Sequence, residues 1–243
     1  MTLRNLAPLP GSLLAAQRPT GVASQSAVAY EVLRERIVTL RLPPASPIDE
    51  AVLQQDLGIG RTPIREALQR LAHENLVVIL PRRGMLVADL NLADLHKIFE
   101  LRLELEPLAA ALAAKRATAA QIEALEALFD PAAVALDPSG LIERDHQAHR
   151  LIASAAHNEF LAASLERLYS HVLRLWYVSL KHVPRLGEAV AEHREITAAI
   201  RKRASARAAR LMRAHVAGYQ NDVLRVQEPG SPVGKPRTTT GIG

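Results

Sequence analysis

Asp145 and His149 stand four residues apart in a stretch of helical periodicity, so both side chains leave one face. A carboxylate and an imidazole at that spacing are two potential ligands for a divalent cation. Downstream, His193 shares a helix face with Ile196, Thr197 and Ile200, and His215 shares one with Leu211 and Tyr219. One carboxylate and three imidazoles projecting inward from three helices would make a metal site, with positions left for water or a small anion. The competing arrangement is a set of unrelated histidines satisfied by buried hydrogen bonds. Spacing alone favours it, because only Asp145 and His149 form a local motif. His146 points about 100° away from Asp145 and is not expected to join them. His73, His96, His157, His171 and His182 have no companions and read as structural or surface residues.

A second chemistry lies in Arg61-Thr62-Pro63-Ile64-Arg65-Glu66-Ala67-Leu68-Gln69-Arg70-Leu71. Ile64, Ala67, Leu68 and Leu71 form an apolar stripe at helical spacing, and Pro63 suits a first helical turn. Arg61, Thr62, Arg65 and Gln69 lie off the stripe, where guanidinium, hydroxyl and amide groups can reach phosphates and base edges. An ordinary amphipathic helix would look much the same, so the neighbours decide. Before it, residues 48–58 read as a short helix ended by Gly58, with three residues leading into the next helix. After it come Leu76–Leu80 and Met85–Ala88, two β-prone runs joined by Pro81-Arg82-Arg83-Gly84. Helix, turn, helix and a basic hairpin tip together specify a winged helix-turn-helix, with Arg61, Arg65, Arg82 and Arg83 expected on one surface.

Arg102 falls among Leu101, Leu103, Leu105 and Leu108 of a long helical stretch, so it either pairs with Glu106 or binds an anion; pairing is the default. The cations at Arg201-Lys202-Arg203, Arg207, Arg210 and Arg213 straddle a helix junction, where they suit a helix C-terminus better than a second nucleic-acid patch.

The elements that must position these groups follow from the rest of the chain. Its 243 residues suit two domains. No apolar run is long enough to span a bilayer, and Leu13-Leu14-Ala15-Ala16 is too short for a secretory core. The absence of cysteine excludes a disulfide framework and thiolate metal sites, leaving His and carboxylate as ligands. A cytoplasmic, membrane-free protein is expected. Net charge is +5, yet residues 26–89 hold eight Arg and eight Asp or Glu, so placement rather than bulk charge must carry any affinity for DNA. Aromatics at 3% argue against a stacking platform for single strands.

In chain order, residues 1–25 read as a mobile tail. Residues 26–89 read as the winged domain, its first helix over about 27–40, with Pro43–Pro47 as an extended connector. Residues 92–227 read as six helices over about 93–115, 118–129, 138–156, 159–182, 186–203 and 205–227, an antiparallel bundle without strands. Residues 228–243 read as disordered. The fold class is mainly α.

The run Arg61-Thr62-Pro63-Ile64-Arg65-Glu66-Ala67-Leu68 followed by Leu71 resembles the GntR family of bacterial transcription regulators. The helical half looks like the family's FadR-type branch with an FCD effector domain, and the likeness spans about residues 27–227. Phe99-Glu100-Leu101-Arg102 with Glu106 resembles the opening of that domain, and Asp145, His149, His193 and His215 fall in the order of its Asp-and-three-His metal site. The resemblance thus reverses the preference drawn from spacing. It implies a homodimeric, ligand-responsive repressor or activator, with repressor the expectation, acting on double-stranded operator DNA. Its bundle would hold a divalent metal, Zn by default with Ni or Mn as alternatives, and a small carboxylate effector. It casts Arg61, Thr62, Arg65, Arg82, Arg83 and Gly84 as DNA-binding, Arg102 as the effector clamp, and Asp145, His149, His193 and His215 as metal ligands, with no catalytic residue.

Three positions depart from the pattern. Gly60 stands where Ser or Thr is frequent, Ala51 where a basic residue is frequent, and Ala204 where Asp often opens the last helix, leaving Ser205 to cap it. From another class, the rival reading is a metal-dependent hydrolase whose Asp/His site activates water.

Overall fold

The computed structural model describes residues 24–130, 138–179 and 186–226. The expected disordered tail 228–243, and the expected mobile tail up to residue 23, lie outside the described residues. The chain divides between Leu90 and Asn91 into two compact units.

The first unit opens with α1 (Gln25–Val38), which begins two residues earlier than its apolar pattern because the Ser24 hydroxyl accepts from the Ala27 N–H and caps it. Then come β1 (Pro47–Ile48), α2 (Glu50–Leu57) and α3 (Arg61–His73). The Asp49 carboxylate accepts from the Ala51 and Val52 N–H groups and starts α2. Gly58, at φ 63°, ends it in the left-handed region that a Cβ would strain. Gly60 enters α3 with no side-chain cap, as its missing hydroxyl dictates.

The hairpin of β2 (Val77–Leu80) and β3 (Gly84–Val87) follows, antiparallel in the register Val77↔Val87 and Leu80↔Gly84. Sequence reading missed one strand. Pro47 and Ile48, assigned to the connector and to the helix start, pair with Leu86 and Met85, giving sheet order β1-β3-β2. Pro47 is tolerated there because β1 is an edge strand, with no ladder on its outer side to break. Ile64, Leu68 and Leu71 of α3 are fully buried against Leu33 and Ile37 of α1 and Leu76 beside the sheet, so α3 presents its other face outward.

The second unit holds, among the described residues, six helices: α4 (Leu92–Arg116), α5 (Ala119–Leu128), α6 (Pro138–Ala155), α7 (Glu159–Ser179), α8 (Leu186–Arg201) and α9 (Ser205–Val226). Thr118 caps α5 in a reciprocal capping box with Gln121. Helix α4 is the hub, packed against α6, α7, α8 and α9. Its buried Ala109, Ala110, Ala113 and Ala114 let neighbouring backbones approach closely. Ser205 does not cap α9; it is the first helical residue, and its hydroxyl donates to the Ala111 carbonyl, tying α9 to α4. No helix among the described residues is long and apolar enough to cross a membrane.

Candidate metal centre and nucleic-acid interface

Helix α6 supplies Asp145 and His149, α8 supplies His193 and α9 supplies His215, all buried. One ligand atom from each lies within 4.8 Å of every other. The Asp145 Oδ1 atom is 3.8 Å from His149 Nε2 and 3.7 Å from the Nε2 atoms of both His193 and His215. Phe129 stacks on the His193 ring at 5.0 Å and holds its plane.

What the rings do with their other nitrogen decides what the cluster can hold. His149 Nδ1 meets the Glu106 carboxylate at 2.5 Å, His193 Nδ1 the Ala189 carbonyl at 2.8 Å, and His215 Nδ1 the Glu192 carboxylate at 2.7 Å. An acceptor at each Nδ1 assigns the proton there and leaves the Nε2 lone pair facing inward. The His149 and His215 Nε2 atoms are 3.1 Å apart, and His193 Nε2 has no hydrogen-bond partner among the described residues. Three lone pairs and a carboxylate oxygen aimed at one point repel one another unless a cation lies among them.

The ionisable groups of the cluster are shifted by burial and by one another. Burial and the neighbouring His215 press the His193 ring down to about 3, so it is neutral and able to ligate. Burial would raise the Asp145 carboxyl, but His149, His193 and His215, with the Tyr169 hydroxyl donating to Oδ2, hold it down to about 2. Burial opposes the Glu106 carboxylate too, yet Arg102 and His149 keep it well below the usual range. The donor set fits a divalent ion.

Arg102 makes the default pairing and keeps one nitrogen over. Its Nε donates to Glu106, and its buried Nη1 has no hydrogen-bond partner among the described residues. The guanidinium lies 5.5 Å from the Phe99 ring and 5.0 Å from Tyr169, and stays charged because Glu106 outweighs burial. It lines a cavity of about 20 Å³ with Asp145, Tyr169, Trp176, Glu192 and His215. That volume holds about one water.

His146 stays out of the cluster, as expected, stacked on Tyr169 at 4.8 Å. Sequence reading named Glu106 only as the partner of Arg102, and passed over Glu192 and Tyr169. Their roles are set by proximity across helices, for which neither spacing nor type gave a signal.

In the first unit, Arg61, Thr62 and Arg65 project from the exposed face of α3, and Arg82, Arg83 and Gly84 form the exposed hairpin tip. Arg82 at φ 63° and Gly84 at φ 92° make the sharp reversal that thrusts the tip outward. Glu50 of α2, unnoticed in the sequence, reaches both helix arginines: Arg65 Nε at 2.9 Å and Arg61 Nε at 3.5 Å.

Comparison with known proteins accounts for both units. Residues 25–87 match the model of bacterial regulatory proteins of the gntR family, and residues 97–218 match the FCD domain. The chain is 30% identical over 202 residues to the HTH-type transcriptional repressor GlaR of Escherichia coli K12, covering 77% of this chain and 90% of that one. It is 27% identical over 205 residues to the HTH-type transcriptional repressor RspR of the same strain, covering 83% and 90%. The E. coli McbR/YncC structure superposes with a TM-score of 0.73 at 19% identity over 84% of this chain and 99% of that one. A GntR regulator structure from Rhodococcus sp. RHA1 gives 0.68 at 20% identity, covering 84% and 99%. The rival hydrolase reading finds no support among these relatives, of which GlaR and RspR are named as transcriptional repressors.

Proposed function

The chain belongs to the gntR family of bacterial regulatory proteins, in the branch with an FCD domain, and is a DNA-binding transcriptional regulator rather than an enzyme; from that premise we propose that it is a homodimeric, metal-dependent sensor of a small organic acid that represses from a palindromic operator. Its place of action is then the cytoplasm, with the DNA. The observation that carries the sensing half is the trio of inward Nε2 lone pairs around Asp145 Oδ1.

In this reading Arg61 and Arg65 discriminate bases in a major groove, Thr62 and the Arg82-Arg83-Gly84 tip hold the backbone, and half-sites lie about one DNA turn apart. Asp145, His149, His193 and His215 would hold the divalent ion, with zinc the default for an imidazole-rich set. Such an ion supplies open coordination positions for a carboxylate. The protein's own part is orientation. Arg102 Nη1, backed by Glu106, takes one carboxylate oxygen, while Tyr169 and Trp176 exclude water and strengthen that contact. The acid changes operator occupancy only to the extent that it binds one arrangement of the dimer better than another.

The test begins with full-length protein selecting from a randomised duplex library. A two-fold symmetric consensus is expected. Arg65→Ala should weaken binding to that duplex by about 10- to 100-fold, the loss of one bidentate base contact, at unchanged melting temperature and metal content. Elemental analysis should find one divalent ion per chain, lost in His193→Ala/His215→Ala. No enriched sequence would defeat the operator reading, and a metal-free wild type would defeat the sensor reading.

A further inference from the structure

Glu50 is the first residue of α2, yet the capping of that helix is done by Asp49. Its carboxylate turns instead to α3, where both oxygens accept from Arg65 Nε, at 2.9 and 3.2 Å, and one lies 3.5 Å from Arg61 Nε. Only 21% of the Glu50 side chain is exposed, against 66% for Arg61 and 50% for Arg65. A half-sheltered acid thus stands behind two arginines that face solvent. Exposed ion pairs add little to folding, so stability is a poor reason for an acid at this position.

We propose that Glu50 sets the selectivity of the reading head, by fixing the two guanidinium groups side by side and by cancelling part of their charge. The inference rests on the operator-reading role given above. Both ion pairs close through Nε, that of Arg65 as a hydrogen bond, and neither arginine's terminal Nη pair has a hydrogen-bond partner among the described residues. The Nη fork is the part that matches the O6/N7 edge of guanine. Held at Nε, the Arg65 fork is pre-oriented and spends less ordering entropy on a base edge, while Arg61 is drawn to its side by the same carboxylate.

The charge effect separates sequence from backbone. A phosphate attracts a guanidinium mainly through counterion release, which shrinks when a carboxylate already neutralises the cation. A base edge is recognised through direction as much as charge, and loses less. The surrounding residues 26–89, with eight arginines against eight acids, add no compensating positive field. Ala51, beside Glu50, carries no basic group to offset it.

The test uses the full chain as wild type, Glu50→Gln, Glu50→Ala and Arg65→Ala. Fluorescence anisotropy follows binding to the library-selected duplex and to a scrambled duplex of equal length and composition, across a range of NaCl. In Glu50→Ala the freed guanidinium contacts about one more phosphate. The slope of log affinity against log salt on scrambled DNA should steepen by about 0.9, and binding at 0.15 M salt should tighten about fivefold. Binding to the selected duplex should weaken, so the ratio between the two falls by about tenfold or more. Glu50→Gln, which keeps an acceptor oxygen but no charge, should show the salt change with a smaller loss of discrimination. Equal ratios and slopes in wild type and Glu50→Ala would overturn the proposal alone. So would a parallel loss on both duplexes with a lowered melting temperature, the mark of a merely structural residue. A wild type that does not separate the two duplexes would overturn the operator reading itself.

Discussion

At the scale of single residues, the centre is defined by which nitrogen each histidine has left over. Glu106, the Ala189 carbonyl and Glu192 face the three Nδ1 atoms, which leaves the three Nε2 atoms for the ion of the proposed site. Of these, Glu192 is the most exposed and the simplest to remove. Glu192→Ala should free the His215 ring and lower metal affinity by about 10- to 100-fold, the usual cost of losing a partner behind a ligand. Chelator competition measures it, and an unchanged affinity would mean that His215 is not a ligand. A pH dependence follows from His193, whose ring is pressed by burial and His215 from the ordinary 6.5 to about 3. Between those values the unfolded chain carries a proton at this residue that the folded chain does not, so stability rises with pH across that window. Chelator-treated protein should therefore lose stability as pH falls from 6.5 towards 3, read as a falling urea midpoint. His193→Asn should flatten the slope.

At the scale of elements, α4 has two working faces. One buries Phe99, Arg102 and Glu106 at the centre. The other carries Leu101, Leu105, Leu108 and Leu112, spaced four, three and four residues apart, with Leu101 52% and Leu108 46% exposed. That is the spacing of a seam that pairs with its own copy, which makes α4 the candidate contact of the proposed dimer. Leu101→Glu/Leu108→Glu should give monomers in sedimentation experiments while one ion per chain is retained, because neither leucine touches the centre. Loss of metal together with the dimer would place the contact elsewhere. The same elements show what a sequence can and cannot convey. Helix α3 was legible because its apolar stripe, its Pro63 and the preceding Gly58 all act locally. The strand Pro47–Ile48 was not, since two residues carry no periodicity and their partner lies nearly forty residues away. The inward histidines were legible as face-sharing residues on separate helices, but only the packing of α6, α8 and α9 brings them within reach of one another. Glu50 went unread for a related reason: an acid in a first turn already has an explanation in the helix dipole, and its contact with α3 is tertiary.

At the scale of the whole molecule, the proposed regulation requires coupling between two compact units that each have a core of their own. A signal can pass from a pocket in one to a groove-reading surface in the other only if the dimer imposes a geometry on both heads at once. A dimer with fixed heads has to find its half-sites on one face of the duplex, about one helical turn apart. Inserting five base pairs between half-sites of the selected operator rotates one by about half a turn and carries it to the opposite face. Affinity should then fall to that of a duplex with a single half-site, since only one head can engage at a time. Gel-shift titration of the three duplexes reads this directly. If the five-base-pair insertion bound as tightly as the parent, the heads would be tethered but independent. An acid at Arg102 would then have no arrangement to choose between, however well it bound. The spacing experiment therefore decides whether steering is physically available to this chain before any effector is known.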